Sequence, residues 1–302
     1  PGLWADQVTA PDGRAMTIGA SIAGIAAGYL AGTPNGIRVD PVSGLVFSPP
    51  HFTWMDTNYP AATPRRGYPI EIQALWIRLC RLCARLGAAC ADARGWNGLA
   101  DAATASLDRC WIEDRGWFAD CLHAEPGQAA ADARIDDALR PNQLFLISLG
   151  IVTGQRARRA AEACRRWLLV PGALRSLAPL PVDLPLPVLG NDGRLLNNPL
   201  WPYWGRYAGD EDTARKPAYH NGTAWVWLLP VFCEAYALAW DRHPTAVAAA
   251  RAYLGSVEGL LADGAAGQLP EIVDGDAPHT QRGCDAQAWS VSEALRVWKM
   301  LT

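Results

Sequence analysis

The sequence predicts one all-helical domain, and three observations carry that prediction. Apolar residues recur at helical spacing along most of the chain, alternating runs rich in Val, Ile and Thr are scarce, and neither an internal repeat nor a Gly/Ser-rich linker interrupts the 302 residues. That length allows one large core, so residues 1–302 are read as a single domain.

The helices follow in order. Residues 17–31 form an uncharged Ala/Gly-rich helix. In residues 69–87, Ile72, Leu75, Trp76, Leu79, Cys83 and Leu86 lie opposite Arg78, Arg81 and Arg85; Pro69 suits a helix start and Gly87 a stop. Further patterns cover residues 96–110, 141–152, 155–170, 222–241, 244–263 and 286–301, with Pro230 expected to kink the segment 222–241. This makes about eight helices. Arg38 to Val46 is a candidate for local strand pairing. Residues 171–219 hold eight prolines with little periodicity, and they carry Trp201, Tyr203, Trp204 and Tyr207. An irregular stretch of that length is usually functional.

Composition narrows the function. A net charge of −3 argues against nucleic acid, whose phosphates need a basic face. The uncharged stretch from Ala15 to Ile37 has only 14 continuous helix-like residues, too few for a membrane span, and it is a poor secretory signal. The start at Pro1 rather than Met suggests processing or truncation. The eight cysteines read as buried thiols of a reducing compartment, and the Cys80/Cys83 pair has no second pair at a zinc-finger distance. Fourteen Trp, more than Phe and Tyr together, fit either core packing or a cleft of flat aromatic walls for sugar rings.

The chemistry-bearing residues gather in loops: His51 to Arg66, Arg140 to Gln143 with Tyr219 to Trp227, and Pro270 to Trp289. Each mixes carboxylates or amides with Trp. Glycoside hydrolysis needs two carboxyl groups flanking the scissile bond, one as acid and one as base or nucleophile. Asp56 and Glu271 are candidates, although loop carboxylates more often cap helices or face water.

At these loops the sequence resembles the amylo-alpha-1,6-glucosidase family, the C-terminal glucosidase domain of glycogen debranching enzymes. The resemblance is carried in order by Thr53 to Asp56 (TWMD), Thr63 to Trp76 (TPR followed by PIEIQALW), Leu139 to Phe145 (LRPNQLF), Tyr219 to Trp225 (YHNGTAW), Glu271 to His279 (EIVDGDAPH) and Arg282 to Ser290 (RGCDAQAWS). It spans roughly residues 36–301 and leaves residues 1–17 unmatched. It implies a six-hairpin (α/α)6 toroid or barrel with a glucose pocket at one end, no metal or other cofactor, and inversion at the anomeric carbon. Asp56 matches the general acid and Glu271 the general base, which in an inverting enzyme stand roughly 6.5 to 9.5 Å apart.

The expected sugar contacts follow from the same reading. Trp54, Trp225 and Trp289 are the stacking candidates; Asn142, Gln143, His220, Asp276 and Gln287 are the hydroxyl partners, with Glu71 or Arg65 orienting them. Structural hydrogen bonding is the competing role for each polar residue, His279 is expected to shape its loop, and Asp274 competes with Glu271 as base. Val226 replaces the proline of the family's Trp-Pro-Trp. The early barrel helices have no counterpart, so the barrel is expected to be incomplete at its N-terminal end, with the missing part of the enzyme as a partner. The expected function is release of glucose from α-1,6 branch points of glycogen or a branched α-glucan in the cytoplasm, with no nucleic-acid or membrane partner. The alternatives are another substrate such as trehalose in the same barrel, or a glucan-binding module without turnover. A metal-diphosphate cyclase is disfavoured because no clustered Asp motif is present.

Overall fold

The computed structural model describes residues 2–57 and 63–302. Among them are nine α-helices: α1 (Ile18–Ala31), α2 (Ile70–Arg85), α3 (Gly95–Ser106), α4 (Leu144–Ser148), α5 (Gly154–Trp167), α6 (Lys216–Tyr219), α7 (Leu228–Ala239), α8 (Pro244–Gly255) and α9 (Ala288–Leu301). Thr17 caps α1 by accepting from the Ala20 N–H at 3.1 Å.

Packing arranges the helices in two rows. α2, α4, α7 and α9 touch in succession, while α3 packs on α2, α5 on α4 and α7, and α8 on α7 and α9. Burial follows the rows. α7 buries Leu228, Leu229, Val231, Phe232 and Cys233 around its circumference, whereas α5 buries only the stripe Ala157, Ala160, Ala161 and Cys164. A helix apolar all round needs neighbours on every side, and a striped one needs a single partner face. α1 and α9 end the succession, with few buried residues and exposed Ile25, Val291, Leu295 and Trp298.

Several sequence expectations need correction. The domain is not purely helical: Leu169–Val170, Ala173–Arg175, Ala224–Trp225, Ile272–Val273 and Gln281–Arg282 form a five-stranded antiparallel sheet, and Gly67–Pro69, Cys121–His123 and Arg134–Asp136 a three-stranded one. Strands of two or three residues are too short to leave an alternating pattern. The expected pairing near Arg38 is present, as Arg38–Val39 with Val46–Phe47. The helix expected over 222–241 begins only at Leu228, because Trp225 pairs with Leu174 on one side and Ile272 on the other. Pro230 therefore falls in the first turn of α7, where its missing N–H would have had no intrahelical partner, and the expected kink has no cause. In α2 the buried face runs through Ile70, Gln73, Ala74, Ile77, Cys80 and Cys83, which leaves Leu75 exposed. All eight cysteines are free thiols; Cys284 is exposed and Cys90 half-buried, against the expectation of uniform burial.

Candidate active site

The five-stranded sheet places Glu271. Its N–H donates to the Cys284 carbonyl at 2.8 Å and its carbonyl accepts from Val226 N–H at 3.2 Å, immediately before Ile272 enters the ladder. Three neighbours restrain the half-buried carboxylate. The Tyr219 hydroxyl donates to Oε1 at 2.5 Å, the Cys284 amide donates to Oε2 at 3.0 Å, and Gly283 approaches so closely that a Cβ there would lie 2.4 Å from Oε2. Gly283 has a φ of +70°, so glycine satisfies both the conformation and the approach.

Asp56 is placed by the residues on either side of it. Met55 is fully buried, its N–H donates to Thr53 Oγ1 at 3.1 Å, and the Thr57 hydroxyl shares a hydrogen bond of 3.1 Å with His220 Nδ1. Between those anchors Asp56 is exposed. Tyr219 is bound to Glu271: burial pushes its phenol up, the hydrogen bond and charge of Glu271 add to that, and the charges of Tyr207 and Asp56 act in the same direction. The segments that carry Asp56 and Glu271, 215 positions apart by their numbering, both reach His220, through the Thr57 hydroxyl at 3.1 Å and the Tyr219 ring at 4.8 Å between centroids.

Aromatic rings form the floor. Trp54 meets His220, Trp225 and Trp227 edge-on, each at 5.2 Å between centroids, and donates from Nε1 to Asn142 Oδ1 at 2.7 Å. His220 stacks on Trp225 with 9° between planes. Trp289, 41% exposed, stacks on Trp227 at 3.8 Å and keeps its other face for solvent. Of the expected stacking residues, Trp289 therefore offers a free ring face, whereas Trp225 is buried in the cluster.

A buried ionic layer adjoins the rings through Asn142 and engages Glu71. Glu71 is held bidentately by Arg65, at 2.6 Å to each oxygen, and Arg65 also binds Asp120. Burial works against the Arg65 charge, but the Asp120 and Glu71 carboxylates more than offset it and hold the guanidinium well above its ordinary value. Gln143 accepts from the Phe118 N–H at 3.0 Å and donates to the Arg140 carbonyl at 3.4 Å. Gln143 is thus engaged inside the protein rather than free for a hydroxyl, whereas Glu71 and Arg65 are placed to orient Asn142 through Asp120. Asn142, also fully buried, donates to Asp120 and accepts from Trp54, tying the ionic layer to the ring cluster.

The remaining predicted residues divide similarly. His220 is buried, and its Nε2 has no hydrogen-bond partner among the described residues. Asp276 accepts from the Tyr203 hydroxyl at 2.8 Å, which fastens the proline-rich segment to the loop after Ile272–Val273. Gln287 precedes α9 and is half-buried. Asp274 is buried, paired with Arg282 at 3.1 Å and bonded to the Tyr207 N–H, whereas the half-buried Glu271 has no cationic partner among the described residues. His279 Nδ1 bonds the Asp274 carbonyl within its own loop, as expected. Tyr59, the aromatic neighbour on the C-terminal side of Asp56, lies outside the described residues. Sequence reasoning missed Tyr219, Tyr207 and Thr57; Tyr219 opens the YHNGTAW motif, and its position there was the only signal. A cavity of about 730 Å³, lined in part by Arg65, Arg140, Asn221 and Leu184 to Val188, contains neither Asp56 nor Glu271 among its described lining residues. No group of three or more His, Cys, Asp or Glu placed to hold a metal occurs among the described residues.

The chain is 29% identical over 144 residues to periplasmic trehalases of Salmonella paratyphi B and Salmonella newport, a match covering 46% of this chain and 24% of each of those proteins. The chain therefore aligns with about a quarter of their length. Its structure is similar to mannosylglycerate hydrolase from Thermus thermophilus in complex with glucose (TM-score 0.47, 16% identity, 77% of this chain and 48% of that one). It is also similar to neutral trehalase from Saccharomyces cerevisiae (TM-score 0.48, 12% identity, 77% and 38%). The family described as amylo-alpha-1,6-glucosidase matches residues 9–184 and 193–296. That match starts ahead of residue 36 and reaches into the N-terminal segment, and its one interruption falls in the proline-rich stretch. With most of its length matched, this chain belongs to the amylo-alpha-1,6-glucosidase family of glycoside hydrolases.

Proposed function

We propose that the protein is an inverting glycoside hydrolase that releases glucose from α-1,6 branch points of glycogen or a related α-glucan. The observation that carries this reading is the convergence on His220 of Tyr219, which holds Glu271, and of Thr57, the neighbour of Asp56. Asp56 gives its proton to the glycosidic oxygen as the bond from C1 to that oxygen breaks. Glu271 takes a proton from a water whose oxygen bonds C1 from the opposite face, so the configuration inverts. Trp289 offers a flat wall to the C–H face of the sugar, and Asp276, His220 and Gln287 are the hydroxyl partners, since Asn142 and Gln143 are bonded inside the protein.

In this reading the two rows of helices belong to a six-hairpin (α/α)6 barrel, and further helices of the same enzyme cover α9 and α1. The exposed apolar residues Val291, Leu295 and Trp298, at helical spacing on α9, support that placement. The free thiols fit a reducing cytoplasm. A second reading, trehalose as substrate, is favoured by the match to the periplasmic trehalases.

A substrate panel tests the reading in the complete enzyme. Glucose release from a branched limit dextrin should exceed that from maltose, isomaltose and trehalose. Asp56→Asn and Glu271→Gln should each lower hydrolysis by at least about 100-fold. Preference for trehalose would select the second reading, glucan binding without turnover would select a binding module, and near-normal hydrolysis in both variants would end the proposed mechanism.

A further inference from the structure

Glu271 is oriented by more than the sheet that carries it. A carboxylate on a two-carbon stem rotates freely in water, and a general base works only when one of its oxygens points along the path of the attacking water. Here one oxygen accepts from a phenol and the other from a backbone amide, and beside the second oxygen there is no room for a Cβ on Gly283. A carboxylate has about four lone-pair sites, so two remain for water.

The phenol is itself fixed. The Tyr219 ring lies 4.7 Å from Trp225, 4.8 Å from His220 and 5.2 Å from Tyr207 between centroids, and its carbonyl accepts from Trp225 Nε1 at 3.0 Å. Burial and the adjacent Glu271 keep the hydroxyl protonated far above neutral pH, so it remains a donor throughout the working range.

Resting on the reading of Glu271 as base, we propose that Tyr219 is a positioning residue for hydrolysis: with the Cys284 amide, its hydroxyl locks the Glu271 carboxylate in the orientation that receives a proton from water. Tyr219 acts through Glu271 and takes no proton itself. Without the hydroxyl the ring packing survives, but one restraint on the carboxylate is lost. The cost therefore appears in turnover and leaves sugar binding in place.

The test is steady-state kinetics of Tyr219→Phe beside Glu271→Gln in the complete enzyme. The expected result for Tyr219→Phe is a fall in kcat of about 10- to 100-fold with KM within about twofold, since the lost contact serves the transition state rather than the bound sugar. Gly283→Ala provides a second approach that leaves the tyrosine intact: its Cβ would crowd Oε2 and should lower kcat with the same small effect on KM. If Glu271→Gln is inactive while Tyr219→Phe keeps kcat within twofold, the positioning role is wrong and the base assignment stands. If Glu271→Gln retains activity, both are wrong. A proportional loss in kcat and gain in KM in both tyrosine and glycine variants would show general damage to the site and would also overturn the proposal.

Discussion

His220 is buried beside three cationic or ionisable neighbours. Burial pushes its imidazole well below the ordinary value, and the charges of Arg140, Arg65 and His51 push it the same way. The folded protein therefore holds it neutral, bonded to Thr57 and stacked on Trp225. In the unfolded chain the ring takes a proton below about pH 6.5, so there the unfolded state binds more protons and stability falls as pH falls, by up to about 1.4 kcal/mol per pH unit. His220→Gln should remove that contribution. Urea unfolding at several pH values between 7.5 and 5 checks it: the variant is expected to be less stable at neutral pH by about 1 kcal/mol and to lose less stability on acidification. Parallel stability curves for the two proteins would contradict the neutral assignment. At this scale the motifs made Asp56, Glu271, Trp54 and His220 legible as residues of one region. Gln143 was misread because the Phe118 backbone that claims it lies 25 residues away, whereas Glu71 pairs with Arg65 only six residues before it.

Among the elements, helices were legible where one face is apolar for three turns or more. α1, α2, α5 and α9 begin and end within a few residues of their predicted bounds, since capping and periodicity are local signals. The strand through Ala224 and Trp225 was read as helix because its register is set by Leu174 and Ile272, which nothing local reveals. α9 carries the element's own prediction. It buries Ser290, Val297 and Leu301 but leaves Leu295 53% exposed and Trp298 39% exposed. If further helices of the enzyme cover this face, the double substitution Leu295→Glu and Trp298→Glu should lower the melting temperature of the complete enzyme by several degrees, because charges would then be buried without partners. On a permanently solvated face the same change costs within about 0.5 kcal/mol, and an unchanged melting temperature would contradict the proposed covering.

For the whole molecule, the excess of tryptophan divides by location. Trp76, Trp96 and Trp117 are buried in the core, whereas Trp54, Trp225, Trp227 and Trp289 form one connected group beside Glu271 and its tyrosine. The sheet carries Glu271, the proline-rich segment is fastened through Tyr203 and Asp276, and the ionic layer around Arg65 reaches Trp54 through Asp120 and Asn142. The central claim is that these carboxylates act on opposite faces of one glucose unit. Proton NMR of the first glucose released by the complete enzyme from a branched limit dextrin tests it most directly. The account predicts β-glucose as the initial product, turning to the equilibrium mixture only by mutarotation; initial release of α-glucose would contradict it.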